Sequence, residues 1–118
     1  MLANNKMALF RESRIQILEF FGSAEQQIEW QGRTPTLDTT ECMLWWIDDF
    51  YPDSALFKAS FSRTEIAMLS KFDELFHSAT DKHLGSGPKV EQLLQESGWN
   101  EVMMEANRIA SMLRNTPI

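Results

Sequence analysis

The sequence predicts an all-α domain, and three observations predict it. Apolar residues recur at spacings of three and four along nearly every long segment and almost nowhere at two. At three places, 23–26, 38–41 and 62–65, a Ser or Asp stands three residues before a Gln or Glu and opens an apolar run, the spacing of a helix N-terminus. Glycine and proline fall where those runs start and stop. The 118 residues are 43% hydrophobic and 24% charged, which suits one compact domain over residues 1–118 with a radius of gyration near ~13 Å and argues against disorder. Five to six helices are expected.

In the first helix, over residues 4–21, Leu2, Leu9, Phe10, Ile17, Leu18 and Phe21 trace a loose apolar face. It ends at Gly22, a residue suited to the left-handed position after a helix. Ser23 and Gln26 then make a capping box, the hydroxyl accepting from the Gln26 amide and the Gln side chain reaching back, for a short helix ending before Gly32. Gly32 to Thr36, with Pro35, is a loop. Asp38 and Glu41 cap a third helix through MLWWIDDFY, which Pro52 closes. Ser62 and Glu65 cap a fourth, residues 63–79, whose stripe Ile66, Leu69, Phe72, Leu75, Phe76 is cleanly amphipathic. Residues 80–88, TDKHLGSGP, read as an exposed loop. Pro88 at a first helical position starts a fifth helix through Val90, Leu93 and Leu94, ended by Gly98. A sixth runs from Trp99 to Arg114 along Val102, Met103, Ala106, Ile109, Ala110 and Leu113, with Arg108 and Arg114 near its C-terminal end, where cations are favoured.

Net charge is −6, and its distribution matters more than its size. Residues 1–33 hold four basic and four acidic side chains, residues 58–79 three of each, and residues 80–118 four basic and five acidic. Residues 34–57 hold Asp38, Glu41, Asp48, Asp49 and Asp53 and no Lys or Arg. An acidic surface repels phosphate backbones and anionic lipid, so nucleic-acid and membrane binding are disfavoured and a basic protein partner is favoured. The same segment carries Trp45, Trp46, Phe50, Tyr51 and Phe57. On a helical wheel Met43, Ile47 and Phe50 face inward with Trp46 and Tyr51 on the flanks, and Trp45 falls on the opposite side with Glu41, Asp48 and Asp49 one turn away. An aromatic inside an acidic rim is suited to a cationic protein, because charge steers encounter and the aromatic supplies affinity. Glu41, Trp45, Asp48, Asp49 and Asp53 are therefore the candidate partner-binding residues. The alternative is that Trp45 fills a second core layer of a helix buried on both sides.

Signs of catalysis are absent or incomplete. Glu74 and His77 have the Glu-x-x-His spacing of di-iron bundles, which need it twice with two further Glu. His83 lies in the predicted loop. Asp48, Asp49 and Asp53 resemble the Asp-rich magnesium motif of prenyl-diphosphate enzymes, but those need two such clusters in a far larger helical barrel. Gly85-Ser86-Gly87 lacks the third glycine and preceding strand of a phosphate loop. Cys42 is the single cysteine, so it forms no internal disulfide, has no histidine close in sequence, and suits a buried place in a reducing compartment. The methionines read as gap fillers, and Trp30 and Trp99 as residues that pin corners of the core. No apolar run reaches the roughly 18 residues of a membrane helix, and MLANNKMALFRESR lacks a signal-peptide core. A cytoplasmic protein without cofactor or metal is expected.

The run WIDDFYPDSALFKASFSRTEIAMLSKFDELF, residues 46–76, resembles small acidic immunity proteins of bacterial contact-dependent growth-inhibition systems. The resemblance covers about a quarter of the chain. It implies a cytoplasmic, non-enzymatic toxin inhibitor that binds the C-terminal toxin domain of a large secreted effector, often a nuclease. These families are diverse, so no functional residue carries over by position; the candidate site rests on charge and periodicity. A monomer is favoured. The other readings are a helical adaptor or secretion chaperone, which would present an apolar groove and dimerise, and a metal-dependent enzyme built on Glu74, His77 and the aspartates. A helix-turn-helix regulator is disfavoured because no predicted helix is basic on one face. Reversing Asp48 and Asp49 to Lys is expected to abolish partner binding without unfolding the helices.

Overall fold

The computed structural model describes the backbone of residues 2–116 and the side chains of residues 5–116. Its regular elements are α1 (Leu2–Phe21), α2 (Ala24–Arg33), α3 (Thr39–Ile47), α4 (Ala55–Ser60), α5 (Arg63–Thr80), a 3-10 turn at Asp81–His83, α6 (Val90–Leu93) and α7 (Ser97–Arg114). There is no strand among the described residues, and the chain is all-α as its periodicity predicts. The long helices α1, α5 and α7 make the frame, with α7 packed along both of the others; α3 and α4 lie on α1, and α2 bridges α1 and α6. Helices of 18 to 20 residues are about 27–30 Å long; the extents are 42 × 25 × 24 Å and the radius of gyration is 14.4 Å, so the long axis exceeds any single helix.

The core is largely aromatic. Trp46, Trp99, Phe21, Phe57, Phe72 and Phe76 are essentially inaccessible, and their rings meet edge to face, Phe21 to Phe76 at 4.9 Å and Trp46 to Phe72 at 4.9 Å. Where an indole needs a polar partner it has one: Trp99 Nε1 donates to Gln27 Oε1 at 3.0 Å, and the Gln27 amide donates to the Phe20 and Phe21 carbonyls at the end of α1. Trp30 and Trp99 are thus core residues at helix boundaries, as expected.

Several boundaries differ from the sequence reading. The buried face of α1 runs through Arg11, Arg14, Ile15, Leu18 and Phe21, while Leu9 is 71% exposed; the Leu2 side chain lies outside the described residues. Gly22 does not take a left-handed conformation, which among the described residues only Gly85 does. What Gly22 needs is space, because its carbonyl accepts from Asn107 Nδ2 at 2.8 Å and a Cβ there would strike the Asn107 side chain. Of the three expected capping boxes only Ser62–Glu65 closes in both directions. Ser23 accepts from the Gln26 amide without the reciprocal bond, and Asp38 caps α3 through the Thr40 amide. α2 continues through Gly32 to Arg33.

α3 stops at Ile47, so Phe50 and Tyr51 belong to the following turn. The buried side of α3 is Thr39, Cys42, Met43 and Trp46, which corrects the wheel: Trp46 is central rather than flanking, and Tyr51 is 64% exposed. α4 was not expected. Ser54 starts it by accepting from the Phe57 amide, and it forms because doing so buries Phe57. α6 is a single turn capped at Lys89, with Pro88 outside it, and Gly98 lies within the first turn of α7. The loop before α6 is docked rather than free: Thr39 Oγ1 donates to the Pro88 carbonyl at 2.6 Å, and the Gly85 amide donates to Thr40 Oγ1.

Candidate functional site

α3 presents two different sides because its 3.6-residue repeat alternates Cys42, Met43 and Trp46 with Glu41, Trp45 and Asp48. Glu41, Asp48 and Asp49 are all exposed, one turn before and after Trp45. Trp45 itself is 38% exposed. One edge of its indole packs on Phe20 at 5.0 Å and Trp30 at 5.6 Å between ring centroids, which fixes the ring while leaving the rest accessible. It is therefore both a wall of the core and a surface group. Asp53 is placed elsewhere. It lines a hollow of about 400 Å³ with Pro52, Lys58, Phe61, Arg63 and Ile66, where two cations share its surroundings.

Sequence reasoning missed Arg14. Counting charge along the chain assigned it to the balanced N-terminal segment, but folding carries it beneath the C-terminal end of α3. It is 1% exposed. Its Nη1 donates to the Trp45 carbonyl at 3.0 Å and its Nη2 to the Trp46 carbonyl at 2.9 Å, and the guanidinium lies 4.7 Å from the Trp46 ring centre. Asp49 stands 3.9 Å from Nη1. Burial pulls the Arg14 pKa down to about 10, opposed by Asp49 and Asp73. The group still stays a cation at neutral pH. Residues 34–57 thus have no cation in sequence, yet Asp49 has one in space. A signal existed: positions 11 and 14 continue the stripe of Phe10, Ile15, Leu18 and Phe21, so a charge there implies a buried, partnered charge.

The other chemistry-bearing residues are tied into the fold. His77 Nε2 is 3.5 Å from Asp73 and its Nδ1 is 2.8 Å from Asp81, while Asp73 also accepts from Trp46 Nε1 at 2.9 Å. Glu74 is exposed. His83 meets Glu96 at 2.9 Å. Cys42 is buried, its Sγ 3.1 Å from the Thr39 carbonyl, and desolvation pushes its pKa up to about 12, so it stays a thiol. Among the described residues no three His, Cys, Asp or Glu side chains gather as a metal ion would need, and no helix is long and apolar enough to cross a membrane.

A second surface feature is a cleft of about 590 Å³ at the start of α3, with Ile28, Pro35, Leu37 and Pro88 on its walls and Asp38, Lys89 and Glu91 at its rim. Ile28 is 46% and Leu37 44% exposed. Compared with known proteins, the chain matches no family model, no curated protein and no solved structure.

Proposed function

We propose that this chain is a binding protein that neutralises a cationic protein partner through the outer side of α3, in the manner of a cytoplasmic immunity protein against a basic toxin domain. The observation that carries this reading is the partly exposed Trp45 held rigidly by Phe20 and Trp30, with Glu41, Asp48 and Asp49 exposed around it. A rigid aromatic loses little entropy on binding, and carboxylates beside it orient a cationic surface and speed its approach. The net charge of −6 favours the same kind of partner. A carboxylate face of this kind fits the phosphate-binding cleft of a nuclease by taking up the Lys and Arg side chains that would otherwise hold phosphate.

The cleft beside Ile28 and Leu37 favours a second reading, a helical adaptor that takes an apolar segment of another protein. The two differ in where substitutions act. The test is co-expression with the C-terminal toxin domain of the large secreted effector that this reading expects in the neighbouring gene, read by growth rescue and co-purification. Glu41→Lys with Asp48→Lys should abolish both while leaving helical circular dichroism intact. Asp49 is left out of this test because a lysine there would face buried Arg14. Rescue that survives the double reversal but is lost on Leu37→Asp would favour the adaptor surface instead.

A further inference from the structure

Burying a cation is costly, so the burial of Arg14 demands a reason. α3 closes with the Asp48 amide on the Leu44 carbonyl and the Phe50 amide on the Ile47 carbonyl. The two carbonyls between them, of Trp45 and Trp46, are those Arg14 takes. A planar fork that stacks on Trp46 can satisfy both at once, and its positive charge suits the negative end of a helix. The cost is visible in Arg14 Nε, a buried donor without a partner among the described residues. Two carboxylates on different elements face the guanidinium: Asp49 just past α3, and Asp73 on α5, which is already bound to the Trp46 indole.

Building on the acidic and aromatic reading of α3, we infer that Arg14 is the positioning residue of that face. It fixes the last turn that carries Trp45, and it divides the carboxylates, engaging Asp49 from beneath and leaving Asp48 and Glu41 as the charges offered to a cationic partner. Asp49 retains 71% side-chain exposure, so it looks equivalent to Asp48 from outside. What separates them is the buried cation behind one and not the other.

The probe is quenching of tryptophan fluorescence by caesium against iodide, since Trp45 is accessible and Trp30, Trp46 and Trp99 are buried. With each ion's quenching taken relative to its quenching of free N-acetyltryptophanamide, wild-type protein should favour caesium over iodide, and Trp45→Phe should lose that preference. Equal normalised quenching by both ions in the wild type would defeat the acidic-aromatic reading itself. Given the preference, Asp48→Asn should reduce the caesium-to-iodide ratio by about twofold, the effect of one charge a helical turn away that the quencher salt largely screens, whereas Asp49→Asn should change it little. In an Arg14→Met background Asp49→Asn should become as effective as Asp48→Asn, and Arg14→Lys, which keeps the charge, should restore the difference. Equal effects of Asp48→Asn and Asp49→Asn in the wild type overturn the inference even if Arg14→Met fails to fold, as does a difference that persists in folded Arg14→Met.

Discussion

Arg11 shows how far one buried side chain reaches in this protein. From α1 it donates to both Glu65 oxygens at 2.9 Å, to the Ser60 carbonyl at 3.0 Å and to the Thr116 carbonyl at 2.9 Å, and it lies over Phe61. It therefore ties α1 to α4, α5 and the chain after α7. Removing it leaves the Glu65 carboxylate, with only 12% side-chain exposure, held by the Ser62 amide alone, so Arg11→Met should lower unfolding stability by about 3 kcal/mol in urea titrations. A loss below about 1 kcal/mol would mean the network is ornamental. The hydrogen bonds from Arg11 hold the Glu65 carboxyl below the usual carboxylate range, aided by its bonds at Ser62 and opposed by burial. Because the unfolded chain then binds the Glu65 proton at higher pH, this stabilisation is complete above the unfolded value of about 4.3 and is lost as pH falls through the lower folded value. Glu65→Gln should flatten the acid limb of a stability-against-pH curve while lowering the neutral plateau; an unchanged acid limb would contradict this assignment.

Helix starts and helix ends obey different physics in this chain. Ser62 and Glu65 bond to each other's backbone amides, and Ser62→Ala should destabilise α5 by about 1 kcal/mol, seen in chemical denaturation. The same Glu65 serves Arg11, so Ser62→Ala and Arg11→Met should be non-additive in a double-mutant cycle. The start of α3 is held from outside as well, because Gly87 packs where a Cβ would lie 2.4 Å from Thr39 Oγ1 and 2.8 Å from the Thr40 amide nitrogen. The second of these atoms is backbone and cannot swing away. Gly87→Ala should therefore cost about 1–3 kcal/mol by overpacking and raise hydrogen exchange at the first turn of α3. Caps were legible because they use neighbours two or three residues apart, as Asp38 with Thr40 and Ser62 with Glu65 do. α4 was not, since only the burial of Phe57 stabilises so short a helix. Nor was the end of α3 at Ile47: the two carbonyls that finish it are held by a residue 31 and 32 positions away.

At the scale of the molecule, charge is the property that folding rearranges most. Along the chain five acids in residues 34–57 have no cation among them. In space Asp38 caps α3, Asp49 lies against Arg14, and Asp53 shares a hollow with Lys58 and Arg63. Glu41 and Asp48 remain beside Trp45, so four of the five candidate site residues share the α3 region and Asp53 serves a different one. The sequence by itself determined the all-α class, the helix starts at Ser23, Asp38 and Ser62 and the acidic and aromatic composition of α3, because each depends on residues within one or two turns of each other. Only the tertiary structure decided which partners the two arginines of α1 take, that Trp45 is partly exposed while leaning on Phe20 and Trp30, and that Asp49 lies against Arg14. Those outcomes depend on which distant elements pack together, and the pairing of a charge follows distance in space, not separation along the chain.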